Sequence, residues 1–142
     1  MPKKKILVIS KDETLIGRVN ILAEVYKIIL VSDYVQANRH LATGGNNVQD
    51  GQADSNGTVE VVVAEVDDKM LNFGMLVKIA KEDPTHYFRK HEYILYSKSG
   101  ELSALEETAR AAGMTIVGTV SEPTIAGLPR MIMGRYQNVR TG

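Results

Sequence analysis

Val59-Glu60-Val61-Val62-Val63-Ala64-Glu65-Val66, followed at once by Asp67-Asp68, is the stretch that decides the fold. The run is almost continuously apolar and mostly β-branched. It predicts a strand buried on both faces, as the strands of parallel sheets are. Acidic residues then stand at its carboxyl end. In an open α/β sheet that end faces the functional crevice. Working outward, Ile6-Leu7-Val8-Ile9 and Ile28–Val31 are shorter runs of the same kind upstream. Tyr93–Tyr96 and Met114–Val120 are their counterparts downstream.

Segments with helical spacing separate these runs. Leu15, Ile16, Val19, Leu22, Ala23 and Tyr26 form an apolar stripe after the first strand. Ser32-Asp33 is placed to cap a helix whose weaker stripe is Val35, Ala37, Leu41 and Ala42. Met70, Phe73, Leu76, Val77 and Ala80 make a third stripe, with Gly74 a weak point inside it, and Asp83-Pro84 ends it. Leu102, Leu105, Ala109 and Ala112 make a fourth, terminated by Gly113. Gly127, Pro129 and Gly134 leave room for only a short last helix, starting near Pro129. Strands alternating with helices predict an α/β sandwich with a parallel sheet and right-handed crossovers. Residues 43–58 interrupt the pattern. Four glycines, three asparagines and two aspartates, with only Val48 and Ala53 apolar, predict a flexible insertion in one domain spanning 1–142. Asp50 and Asp54 in it lack the closing glutamate of a calcium loop.

The bulk properties narrow the function. The chain has 142 residues, 44% hydrophobic and 24% charged, enough for one domain with a real core. Lys+Arg 17 balance Asp+Glu 17, so nothing favours nucleic acid or a membrane surface. Lys3-Lys4-Lys5 reads as a solvated start to the first strand. Without cysteine there are no disulfides, thiolate metal sites or cysteine nucleophiles. No apolar run is long enough for a membrane span and no signal peptide is evident, so a cytoplasmic protein is expected. No G-x-G-x-x-G or Walker loop follows a strand, which argues against a nucleotide site. His40, His86 and His91 read as surface histidines. Tyr87-Phe88-Arg89-Lys90-His91 reads as a linker that packs its aromatics inward, and Arg130, Arg135, Tyr136 and Arg140 as a solvated helix face.

The residues placed at the crevice are Ser10, Lys11, Asp12 and Glu13 after the first strand; Glu65, Asp67 and Asp68 after the third; Ser97 and Lys98 after the fourth; and Ser121, Glu122 and Pro123 after the fifth. Together with Ala111-Ala112-Gly113 before the last strand, this order and punctuation resembles the receiver domain of two-component response regulators. The resemblance runs over nearly the whole chain apart from 43–58. It implies a flavodoxin-like three-layer sandwich with a five-stranded parallel sheet of order 2-1-3-4-5. In a working receiver an acidic pair after the first strand holds Mg²⁺ and an aspartate ending the third strand accepts phosphate. A Ser or Thr ending the fourth strand reports on the phosphate, and a lysine after the fifth pairs with it. Mg²⁺ takes carboxylate oxygens and offsets the charge of the transferred group.

The simplest alignment puts Ser10 and Lys11 at the acidic pair, Glu65 at the acceptor and Glu122, before Pro123, at the lysine. Ser97 matches the switch hydroxyl. No lysine occurs after Lys98, so a shifted alignment cannot supply one. A degenerate pocket of Ser10, Lys11, Glu65, Ser97, Glu122 and Pro123 follows, with no catalysis and no cofactor. The alternative is a phosphorylatable single-domain regulator using Asp67, with Mg²⁺ on Asp12, Glu13 and Asp67. A small-molecule module on the same architecture is a third class, for which the sequence offers no nucleophile–base pair. The resemblance implies a protein partner, such as a signalling enzyme or an assembly ATPase, and leaves a homodimer open. The face expected to meet it is Leu102–Ala112, Val117–Val120 and Leu128–Tyr136.

Overall fold

A computed structural model describes residues 4–33, 36, 37, 41, 59–66, 73–83, 91–98 and 102–133. The elements are β1 (Lys4–Ile9), α1 (Glu13–Asn20), a 3₁₀ turn (Ile21–Glu24), β2 (Tyr26–Val31), β3 (Val59–Glu65), α2 (Phe73–Glu82), β4 (Glu92–Ser97), α3 (Ser103–Ala111), β5 (Thr115–Ser121) and a second 3₁₀ turn (Glu122–Gly127). Residues 36, 37 and 41 between β2 and β3 are helical, as are residues 128–133. All strand pairs are parallel. The order is β2-β1-β3-β4-β5, as the receiver resemblance implies. The insertion at 43–58 lies outside the described residues.

Strand alternation divides the core into two layers. Leu7, Ile9, Val62, Ala64, Tyr93 and Leu95 face one side, where Phe73, Leu76, Val77 and Ala80 of α2 and Ala109 of α3 cover them. Ile6, Val8, Val61, Val63, Ile94 and Tyr96 face the other, under Leu15 and Val19 of α1 and Leu128 and Ile132 near the C-terminus. Phe73 and Tyr93 meet edge to face at a centroid distance of 6.3 Å.

Two bulges interrupt the alternation. The β1–β3 register slips between Lys5 and Ile6, leaving Glu60 extra. Val59 and Val61, two residues apart, therefore face opposite layers. The β4–β5 register slips between Tyr93 and Ile94, leaving Val117 extra, and Ile116 and Val120 divide in the same way. On the edge strand β5, Gly118 allows a close approach by the C-terminal helical turns. A Cβ there would lie 2.8 Å from Met131 Sδ.

Several local expectations hold. Asp33 Oδ1 accepts the Gln36 amide at 2.9 Å, a capping bond. Gly113 adopts φ 93 after α3, a left-handed conformation that glycine adopts without a Cβ clash. Others are corrected. Tyr26 begins β2 and is not part of the first helix, because α1 ends at Asn20 and a 3₁₀ turn intervenes. The lysine run is not wholly a solvated start: Lys5 lies inside β1 and is buried. Alternation puts it on the side of Leu7 and Ile9, where a long aliphatic stem is accommodated.

Leu95 is fully buried in β4, whereas Leu30 on the edge strand β2 is 46% exposed. Leu95→Ala is expected to lower the unfolding free energy by about 2–5 kcal/mol. Leu30→Ala should change it by less than about 0.5 kcal/mol. Urea denaturation of both variants checks the contrast.

Candidate functional site

The crevice is assembled by one row of side chains at the carboxyl ends of the central strands. Ser10 follows β1, Glu65 ends β3 and Tyr96 lies near the end of β4. Ile9 pairs with Ala64, and Glu65 with Tyr96, so the three stand side by side. Ser10 continues the alternation of Ile6 and Val8, and Glu65 that of Val61 and Val63. Both therefore point to the α1 side, where Tyr96 also lies.

Glu65 is buried, and the Ser10 hydroxyl donates to its Oε1 at 2.6 Å. The distance is at the short end for an O–H···O hydrogen bond. The same Ser10 oxygen accepts the Asp12 amide at 2.8 Å, and the Ser10 amide donates to Val31 O at 3.1 Å. Ser10 thus links β2, the turn after β1 and the end of β3.

Asp12 is the N-cap of α1. Its Oδ1 accepts the Thr14 amide at 2.8 Å and the Leu15 amide at 3.4 Å. Its Oδ2 accepts the Tyr96 hydroxyl at 3.3 Å and lies 3.5 Å from Lys98 Nζ. The Asp12 side chain is 6% exposed and that of Lys98 59%. Burial pushes the Asp12 carboxyl up, but the Thr14 and Leu15 amides and the Lys98 ammonium outweigh it and hold the group below its ordinary value. Burial, reinforced by the charges of Asp12, Glu122 and Glu65, pushes the Tyr96 hydroxyl up to about 12. Tyr96 is therefore a neutral donor across the physiological range.

The other expected residues are spread more widely. Lys11 is exposed beside the row. Glu13 opens α1 in its first turn. Ser97 is buried and in register with Ser121 of β5. Glu122 and Pro123 are exposed at the start of the second 3₁₀ turn, which Ser121 and Thr124 close as a reciprocal capping box. Asp67 and Asp68 lie outside the described residues, as do His40 and His86. His91 Nε2 lies 3.1 Å from Leu41 O, tying the entry to β4 to the helical residues after β2. Tyr96 was not among the sequence candidates. Its signal is positional: a hydroxyl-bearing residue two before Lys98, on the same side of the strand as Glu65.

Among the described residues the acids do not form a divalent-cation site; Asp67, the third member of the alternative Mg²⁺ set, lies outside them. Both Asp12 oxygens are engaged, and an ammonium stands against the outer one. Among the described residues no group of three or more His, Cys, Asp or Glu is placed to hold a metal. Mg²⁺, which the receiver resemblance brings with it, does not fit the donor set around Asp12.

No family model matches the chain and no curated protein matches it. Solved structures do. The signal receiver domain of an HD-domain-containing protein from Pseudomonas fluorescens aligns with TM-score 0.62 and 18% identity, covering 99% of this chain and 99% of that one. A response regulator in red light signaling of R. palustris aligns with TM-score 0.62 and 20% identity, covering 94% and 91%. A two-component response regulator from Legionella pneumophila aligns with TM-score 0.61 and 16% identity, covering 92% and 96%. The likeness is one of fold: the chain has the flavodoxin-like architecture that these receiver domains share. Among the described residues no helix is long and apolar enough to cross a membrane.

Two pH effects follow. The stabilisation from Asp12 is complete above its unfolded pKa of roughly 3.9 and is lost as pH falls through the lower folded value. Asp12→Asn keeps a good cap and should flatten that acid limb. Tyr96 holds its proton more tightly when folded, so stability should fall as pH rises from 10.0 towards about 12. Tyr96→Phe should remove that alkaline loss. Urea midpoints against pH, for wild type and each variant, check both. At neutral pH, Ser10→Ala should cost about 1–3 kcal/mol, because it leaves a buried carboxylate without its hydroxyl donor.

Proposed function

We propose that this chain is a receiver-fold signalling or scaffolding module that acts through protein–protein contacts, without conventional phosphorylation on an aspartate. The observation that carries the reading is the buried Ser10–Glu65 hydrogen bond of 2.6 Å. Glu65 ends β3, where the receiver pattern has its acceptor, and here that place belongs to a carboxylate already held inside the fold. Asp12, the acid nearest a metal-binding role, caps α1 and pairs with Lys98. Glu122 brings an exposed negative charge to the end of β5, where a lysine would pair with phosphate.

Output in such a module depends on which state the fold holds and how much protein is present. Phosphorylation switches a protein by adding charge to a bistable element. A permanent carboxylate at Glu65 or Glu122 biases that element without turnover. The docking face in this reading is the one expected from the sequence, Leu102–Ala112, Val117–Val120 and Leu128–Tyr136, at the edge of the sheet that ends in β5; residues 134–136 lie outside the described residues. Leu105, Val117, Met131 and Met133 on it are only partly buried. The partner class is another signalling protein, an assembly ATPase or a second copy of the chain.

Incubation with a small phosphodonor and Mg²⁺, followed by intact mass measurement, tests the reading. The expected mass is unchanged. A stoichiometric, base-labile phosphoryl adduct that Asp67→Asn abolishes would establish the phosphorylatable regulator instead.

A further inference from the structure

The crevice gathers a buried carboxylate, Glu65, and a half-buried one, Asp12, at the carboxyl end of a parallel sheet, with the charge of Glu122 felt at Tyr96 nearby. A buried charge is tolerated when it is paired or fully hydrogen-bonded. Glu65 has the Ser10 hydroxyl. Asp12 has two amides, the Tyr96 hydroxyl and the Lys98 ammonium. We propose that Lys98 is the resident cation of this crevice: its ammonium takes the place of a divalent ion at Asp12 and clasps the turn after β4 to the turn after β1.

The inference grows from the misfit between the donor set and Mg²⁺. A divalent ion at Asp12 would have to displace Lys98 Nζ from 3.5 Å of Oδ2 and share that oxygen with the Tyr96 hydroxyl. The lysine supplies a single charge on a flexible stem, anchored to a strand end and needing no dehydrated metal. It also differs from a lysine after β5. Lys98 directly follows β4 and Ser97, and α3 begins shortly afterwards at Ser103. A bond from Lys98 to the cap of α1 therefore joins the approach to α3 to the start of α1, across β1, β3 and β4. Tyr96 reinforces the join from within the core, because its ring is fixed between the sheet and α1 while its hydroxyl reaches the same oxygen. Among the described residues the groups facing Asp12 are then Tyr96 of β4, Lys98 just after it, Ser10 just after β1 and the first amides of α1, with Glu65 behind Ser10.

This inference rests on the proposed function for its meaning, and the two fail separately. The clasp is tested by amide hydrogen exchange at Thr14 and Leu15, whose amides donate to Asp12. Lys98→Met keeps an unbranched apolar side chain and removes the charge. It should speed exchange at both amides about two- to fivefold, the range that an ion pair with one exposed partner supports. Lys98→Arg should restore the wild-type rate. In an Asp12→Asn background, where the cap survives but the negative charge does not, Lys98→Met should change nothing further. Exchange unaltered by Lys98→Met, or equally accelerated in both backgrounds, would overturn the clasp. Titration with Mn²⁺ supplies the second readout. Wild-type protein should show no selective broadening of the amides around Asp12, and selective broadening there would overturn Lys98 as the resident cation. A phosphoryl adduct in the mass experiment would sink the phosphorylation-free reading and leave the hydrogen-exchange result standing.

Discussion

A carboxylate buried in a sheet covered on both faces is the constraint around which this crevice is built. Glu65 occupies a row otherwise filled by Val61 and Val63, and the α1 side of that row is packed with Leu15 and Val19. Water does not solvate it there, so a donor must come from an adjacent strand. The register of β1 on β3 brings Ser10 to that place. Ser10 then sets the next contact, because its oxygen also accepts the Asp12 amide and so fixes the turn that starts α1. Asp12 in turn brings its carboxylate to Tyr96 and Lys98. Each polar contact depends on the one before it, and the chain of contacts begins with the placement of Glu65.

The sheet explains why so much polarity collects at one end. Parallel strands buried on both faces gather their strand-to-helix loops at one end of the sheet, beyond the carboxyl termini. The apolar runs that make the strands stop together at Ile9, Ala64 and Leu95–Tyr96, and the residue directly after each is polar: Ser10, Glu65 and Ser97. The fold and its site therefore share one cause. Lengthening any run by one apolar residue would both extend a strand and remove a crevice group.

How far the sequence could be read follows from this. Strand alternation and the polar stops were legible, so the sheet order and the placing of Ser10, Asp12, Glu65, Ser97 and Lys98 at the crevice came from the sequence pattern together with the receiver resemblance. The two bulges were not. Glu60 and Val117 are each counted as ordinary strand residues by a period-2 reading, yet each shifts everything after it to the opposite face. Tyr26 reads as part of the first helix because its spacing from Leu22 is helical. The pairing of Tyr26 with Lys4 shows that the tertiary register overrode that spacing. Lys98 was placed at the crevice, but its partner was not foreseen. An ion pair between residues so far apart in the chain depends on loop geometry that no local pattern encodes.

The absence of lysine after β5 gains a physical explanation from exposure. Glu122, which stands there, is exposed at the start of a 3₁₀ turn and retains its hydration, so the fold needs no counter-ion at that corner. The groups that do need partners are the buried ones, and they lie nearer the middle of the sheet. A cation is most effective beside a charge that water does not reach, because screening there is weakest. Lys98, itself largely exposed, meets that condition in part at Asp12, whose side chain is mostly covered, while a lysine at position 122 would meet solvent.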